Sequence, residues 1–211
     1  SAYMARQSGV PATIFLPANA SPLKEQKLKK LGAEGRYAGS VWDEAHNAAL
    51  SFAREHGAFY MHPFADEAIV AGQGTVAIEM LEQIPDVDLY IVAIGGGGLI
   101  TGMSEIIKAV NPEARIIGVE PAGSPTLHAS FAAGAVVRLP EVTTRVATMA
   151  CGRTDESIYE SARRHVDDIV LIEDDDMQRA AELLWFEFGI AADLSGAASL
   201  AALMAGAIKP K

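Results

Sequence analysis

The chain has 211 residues, half of them hydrophobic and only 7% aromatic, and carries a formal net charge of −10. This suits one α/β domain, or one domain plus part of another, and argues against disorder; the acidic balance disfavours nucleic acid or an anionic membrane as the main partner. A single cysteine, Cys151, excludes an internal disulfide and fits a reducing cytoplasm, and no apolar run approaches membrane-spanning length.

Ser1 to Gly9 has no initiator methionine and reads as a helix already under way, ended by Gly9, so the chain is expected to be an internal fragment. Ala12 to Leu16 is a short apolar strand closed by Pro17. Ser21 is placed to cap a helix with Pro22 at its first position, running to Leu31-Gly32. Its lysines Lys24, Lys27, Lys29 and Lys30 sit at helical spacing and read as a solvated face. Arg36 to Ala38 is a candidate strand, Ser40 or Asp43 starts a helix to Gly57, and Ala58 to Met61 reads as the next strand. This alternation with short connections predicts a parallel sheet flanked by helices.

His62-Pro63-Phe64-Ala65-Asp66 interrupts the pattern and marks a crossing between subdomains. Ile69 to Ile84 is a helix, Leu89 to Ile94 a buried strand, and Leu99 to Val110 the helix behind four consecutive glycines. Arg115 to Val119 is another strand, ending in Glu120-Pro121, and Ser124-Pro125 opens a helix to Gly134. Ala135 to Arg153 reads as a long functional or interface loop with short strand pieces. Thr154 with Ser157 begins a helix to His165, Ile169 to Ile172 is a strand, and Asp174 to Asp176 can cap the next helix. There Met177, Ala180, Ala181, Leu184, Trp185 and Phe188 share one face, a stripe that predicts core packing. Asp193-Leu194-Ser195-Gly196 leads into an Ala/Leu-rich helix ending at Gly206.

The chemistry is concentrated in Gly95-Gly96-Gly97-Gly98. A strand feeding a helix through bare backbone aims several N–H groups and the positive end of the helix dipole at one spot, an anion cradle suited to a phosphate. A dinucleotide fingerprint needs glycines at n, n+2 and n+5. Ile100 and Thr101 stand where the third glycine or alanine belongs, although Glu120 lies where a ribose-binding acid would be. No Gly-Lys-Ser/Thr follows, which disfavours a Walker loop, and His46, His56, His62, His128 and His165 are too scattered for a zinc site. A non-catalytic phosphate- or nucleotide-binding α/β module stays open on these residues alone.

Ala93 to Gly102 resembles the phosphate loop of fold-type II pyridoxal-phosphate enzymes, and within them the threonine/serine dehydratase and serine racemase branch. Three further passages carry the likeness: His62-Pro63-Phe64 with Ala71-Gly72-Gln73-Gly74-Thr75, then Gly118-Val119-Glu120-Pro121, then Asp193-Leu194-Ser195-Gly196-Ala197-Ala198. The resemblance covers the whole chain and implies a two-lobed α/β fold of the tryptophan synthase β type, with residues 1 to 64 in the small substrate-closing lobe and 65 to 211 in the cofactor lobe. It implies that Gly95 to Gly98 and the Leu99 N–H hold the 5′-phosphate of pyridoxal phosphate. Asp193 would lie near the cofactor ring, where the family usually has Glu, or serve as a helix-capping carboxylate.

The implied reaction is conversion of threonine or serine to a 2-oxo acid and ammonia, with a serine or aspartate racemase as the alternative. The implied full-length state is a cytoplasmic homodimer. The family's Schiff-base lysine and its substrate-carboxylate loop would lie before Ser1, and its pyridine-nitrogen partner after Lys211, so the chain alone is expected to be inactive. Lys108, Lys209 and Lys211 are poor substitutes. Glu120 matches one metal ligand of the racemase-like site, but Thr126 replaces its Asp, so Glu120 reads as a structural strand-end acid and no metal is expected. Thr148 to Arg153 departs from the branch's usual stretch, Cys151 reads as a small apolar residue, and Gln73 as structural.

Overall fold

The structure, a computed structural model, describes residues 2–18, 20, 22–39 and 42–209. The caps expected at Ser21 and Ser40 lie outside the described residues, as does the Asp43 side chain. Contacts divide the chain into two units, Ser1–Met61 and His62–Lys211.

The first unit holds α1 (Ala2–Gln7), β1 (Thr13–Leu16), α2 (Pro22–Lys30), β2 (Glu34–Tyr37) and α3 (Trp42–His56). β1 and β2 pair in parallel, with Thr13 opposite Glu34 and Leu16 opposite Tyr37. Gly9, Gly32 and Gly57 end the three helices with positive φ, as their sequence positions predict. No residue of α2 is buried, so its lysines form the solvated face expected, with Lys29 paired to Glu25 one turn back at 2.7 Å. The strand expected at Ala58–Met61 does not form: strands are defined by a ladder, the segment joins none among the described residues, and Phe59 is 80% exposed. Tyr60 instead meets the His46 ring with its hydroxyl, 2.6 Å from Nδ1.

The second unit runs α4 (Glu67–Gln83), β3 (Leu89–Ala93), α5 (Gly98–Val110), β4 (Arg115–Pro121), α6 (Thr126–Ala133), α7 (Glu156–His165), β5 (Asp168–Ile172), α8 (Asp174–Phe188) and α9 (Ala198–Met204). Its sheet has the order β3-β4-β5, all parallel. Strand side chains alternate between two cores, as the two-residue period of a strand requires. Tyr90, Val92, Ile116 and Ile169 pack with Ala77 of α4, Ile100, Met103 and Ile107 of α5, and Ala162 of α7. Ile117, Val119 and Ile172 pack with Met177 and Ala180 of α8 and with Ala198, Ala201 and Ala202 of α9. The sheet is therefore the middle of three layers, as both faces of a buried parallel sheet demand.

Three expectations change here. Ala135–Arg153 contains no strand among the described residues; single bonds such as Leu139 N–H to Gly152 O and Thr143 N–H to Gly123 O pin it instead of ladders. The α8 cap position is Glu173, and its side chain makes no capping bond. Asp174 is drawn into that loop, accepting from the Thr144 hydroxyl and the Arg145 N–H at 2.7 Å each. Along the α8 stripe, Met177 and Ala180 are buried, and Ala181 and Leu184 pack against the same core, but Trp185 and Phe188 are 56% and 66% exposed. The apolar period outlasts the surface the helix covers within its unit.

Candidate functional site

β3 delivers the chain to the glycines, and the reason they must be glycines is largely behind them. A Cβ on Gly96 would fall 2.3 Å from the Phe64 ring, and one on Gly98 2.5 Å from the Phe64 carbonyl oxygen. One on Gly95 would meet the Thr148 carbonyl oxygen at 2.7 Å. Gly97 has φ +99 and ψ −4, the left-handed conformation that a side chain disfavours, and a Cβ there would strike Ile158 at 2.4 Å. Phe64 is presented by a turn in which His62 Nδ1 accepts the N–H groups of Phe64 and Ala65, at 3.3 and 2.9 Å. The His-Pro-Phe passage and the glycine loop thus form one packed body.

The front of the loop is different. Ile94 N–H is bound to Val119 O, and Thr101 N–H to Gly97 O. Between them, among the described residues, no N–H from Gly95 to Ile100 donates to a protein acceptor. These groups stand at the head of α5, thirteen residues long, with Gly97 as its N-cap and no side-chain cap. A helix start left uncapped concentrates unpaired donors and positive potential at one point. They open onto a cleft of about 350 Å³ lined by Pro63, Phe64, Gly95 to Leu99, Thr148, Asp193 and Ser195 among others. Gln73 of α4 is also on its wall.

Asp193 lines this cleft and also caps the turn leading to α9. Its Oδ1 accepts the Gly196 N–H at 2.8 Å and the Ser195 hydroxyl at 2.7 Å. The Gly196 N–H, then the Ser195 hydroxyl, hold its carboxyl below the ordinary carboxylate value, so it is a fixed negative charge at neutral pH. It is not the N-cap of α9, which is Ala197 with no side-chain capping bond; Asp193 instead closes the turn before that helix.

Glu120 is fully buried at the end of β4. Its two oxygens accept the N–H groups of Leu127 and His128, both at 2.8 Å, so it caps α6 from a neighbouring strand. Burial pushes its carboxyl up to about 7 against the pull of those donors. Thr126, at the position where the racemase-like metal site has Asp, donates its hydroxyl to the Cys151 carbonyl oxygen. The Ser124 hydroxyl donates to the same oxygen at 2.9 Å, and Cys151 N–H returns to Ser124 Oγ at 3.0 Å. Cys151 is half-buried, with its thiol donating to Arg153 O at 3.1 Å. These groups staple the 148–153 loop beside the cleft, a role its sequence does not signal.

Among the described residues no lysine lines the cleft. Lys108 is folded against the C-terminal end of its own helix, donating to Ala114 O at 2.7 Å and to Asp167 Oδ2 at 3.2 Å. A functional residue missed in the sequence is Thr154. It reads there as the opener of α7, but Asp155 is the N-cap, accepting the Ser157 N–H at 2.9 Å. The Thr154 hydroxyl instead donates to Gly96 O at 3.0 Å.

The sequence profile described as "Pyridoxal-phosphate dependent enzyme" matches residues 1–211. The L-threonine ammonia-lyase of Thermotoga maritima is 36% identical over 93% of this chain. The chain spans about half the length of the threonine ammonia-lyases it matches: 49% of that protein and 50% of the one from Geobacter sulfurreducens. Among solved structures, a threonine deaminase from T.th. aligns with a TM-score of 0.92 at 30% identity, covering 99% of this chain and 69% of the other. Maize serine racemase aligns with a TM-score of 0.90 at 33% identity, covering 95% and 61%.

Proposed function

This chain belongs to the pyridoxal-phosphate dependent enzymes, and we propose that it serves an ammonia-lyase of the threonine/serine dehydratase type. The reaction takes a β-hydroxy amino acid to a 2-oxo acid and ammonia. The observation that carries the reading is the row of unpaired N–H groups from Gly95 to Ile100 at the head of α5, facing a cleft that Asp193 also lines. When bound, pyridoxal phosphate supplies the electron sink for loss of the substrate's α-proton and departure of the β-hydroxyl.

The residues present fit the phosphate end of that group. Gly95, Gly96, Gly97, Gly98 and Leu99 would hold the phosphate through their N–H groups, and the α5 dipole would add to the hold. Phe64 packs on Gly96 and Gly98 and also lines the cleft, so it would shield the loop from water. Asp193, held ionised by Gly196 and Ser195, sets a negative charge in the vicinity of the cofactor ring. Residues 65–211 are the cofactor lobe in this reading and residues 1–64 belong to the substrate-closing lobe.

The likeness to threonine ammonia-lyases and to a threonine deaminase supports threonine or serine as substrate. The likeness to serine racemase supports a second reading, racemisation at the same site. We place the enzyme in the cytoplasm as a homodimer, a location supported by the lone cysteine. Among the described residues no helix is long and apolar enough to cross a membrane. The test is to incubate the full-length protein with cofactor and L-threonine or L-serine, assaying both 2-oxo acid and D-serine. A 2-oxo acid from threonine supports the lyase; D-serine without 2-oxo acid assigns the racemase. Neither product, with no cofactor-dependent visible absorbance, overturns the reading.

A further inference from the structure

The Gly96-Gly97 peptide joins two residues that lack side chains, and Gly97 sits at φ +99. The peptide is planar and trans, so its carbonyl and N–H point in opposite directions. If that plane turned over, a carbonyl oxygen would replace the Gly97 N–H at the mouth of the cradle and repel an anion. One side chain opposes this. Thr154, 2% exposed, donates its hydroxyl to Gly96 O at 3.0 Å. Among the described residues it is the only side chain hydrogen-bonded to Gly95–Gly98. Its hydroxyl is free to do so because Asp155, not Thr154, caps α7.

We propose that Thr154 is a positioning residue that aims the Gly97 N–H into the cleft, and that tight binding of a phosphate monoester depends on it. The inference rests on reading Gly95–Gly98 as a phosphate cradle. Holding Gly96 O toward the start of α7 turns the Gly97 N–H the other way, toward the loop's unpaired donors. Thr154 therefore acts through the backbone and touches no ligand itself. A hydroxyl is required and its methyl is not, so Ser should substitute and Val should fail.

The experiment is calorimetric titration of the full-length protein and its Thr154→Val and Thr154→Ser variants with pyridoxamine 5′-phosphate and with pyridoxamine. These probes differ only in the phosphate and need no lysine adduct. The expected result is about tenfold weaker binding of the phosphorylated probe by T154V, the scale of one misaimed charge-assisted hydrogen bond. Pyridoxamine affinity should not change, and T154S should stay within about twofold of the parent on the same scale. If T154V does not fold, Thr154→Ala serves in its place with the same expected loss. A hydroxyl-free variant that keeps its phosphate preference, or a T154S that loses as much as T154V, overturns the positioning role. A parent protein with no preference for the phosphorylated probe overturns the cradle reading itself.

Discussion

Glu120 offers a prediction in which pH, burial and capping can be separated. Its carboxyl is fully buried, accepts two backbone N–H groups at 2.8 Å, and is pushed up to about 7 from an ordinary 4.5. The folded protein therefore keeps this proton where the unfolded chain has released it. Between about pH 4.5 and 7 the native state binds more protons, so stability falls as pH rises through that window. At about 1.36 kcal/mol per pH unit, the loss from this group is about 3 kcal/mol. Glu120→Gln removes the titration and leaves one N–H without its acceptor, a cost of about 1–3 kcal/mol independent of pH. Urea unfolding of parent and E120Q across pH 4.5 to 8 should show the parent's advantage shrinking by about 3 kcal/mol as pH rises. Taking the difference cancels every contribution common to the two proteins. A difference constant to within about 1 kcal/mol would show that the two N–H bonds keep the carboxylate ionised throughout, and would refute the argument from burial.

Gly97→Ala must force a side chain into φ +99 and against Ile158, and should cost about 1–3 kcal/mol by denaturant midpoint while abolishing calorimetric binding of pyridoxamine 5′-phosphate; retained binding would refute the cradle. Gly102→Ala tests the α4–α5 crossing, where a Cβ would lie 2.2 Å from Val70 O. It should lower thermal stability by about 1–3 kcal/mol or more, and an unchanged midpoint would mean that the helices separate freely. The Tyr90 hydroxyl is buried without a hydrogen-bond partner, so Tyr90→Phe should be neutral or stabilising by up to about 1 kcal/mol. A loss of more than about 1 kcal/mol would reveal a partner for that hydroxyl.

The alternation of helix and strand was legible because it rests on local period and on glycines that end helices, as Gly32, Gly57 and Gly134 do. The glycine loop between β3 and α5 was legible because four glycines between a strand and a helix have few uses. What sequence could not supply was tertiary. Ala58–Met61 has strand-like composition but is in no strand among the described residues. The α8 stripe continues to Phe188 although the covering surface stops near Leu184. Glu120 caps a helix that begins six residues later in the chain, at Thr126, and no local motif announces that bond. Thr154 resembled a helix opener because Thr is a good N-cap, and the neighbouring Asp155 won that position. The companionship of His62-Pro63-Phe64 with the glycines was visible only as resemblance; its cause is the Phe64 ring against Gly96.

That contact also bears on how such a site can diversify. Each of Gly95 to Gly98 is pressed from behind by Thr148, Phe64 or Ile158, so none can acquire a side chain to fit a different ligand without dislodging its neighbour. The glycine end of the cleft is held by its own scaffold. Variation in what the cleft accepts is confined to the rest of its lining, where Asp193 and Ser195 stand outside the contacts that press on Gly95 to Gly98. Descent with new substrates would thus leave its record at those two positions while the loop stays as it is.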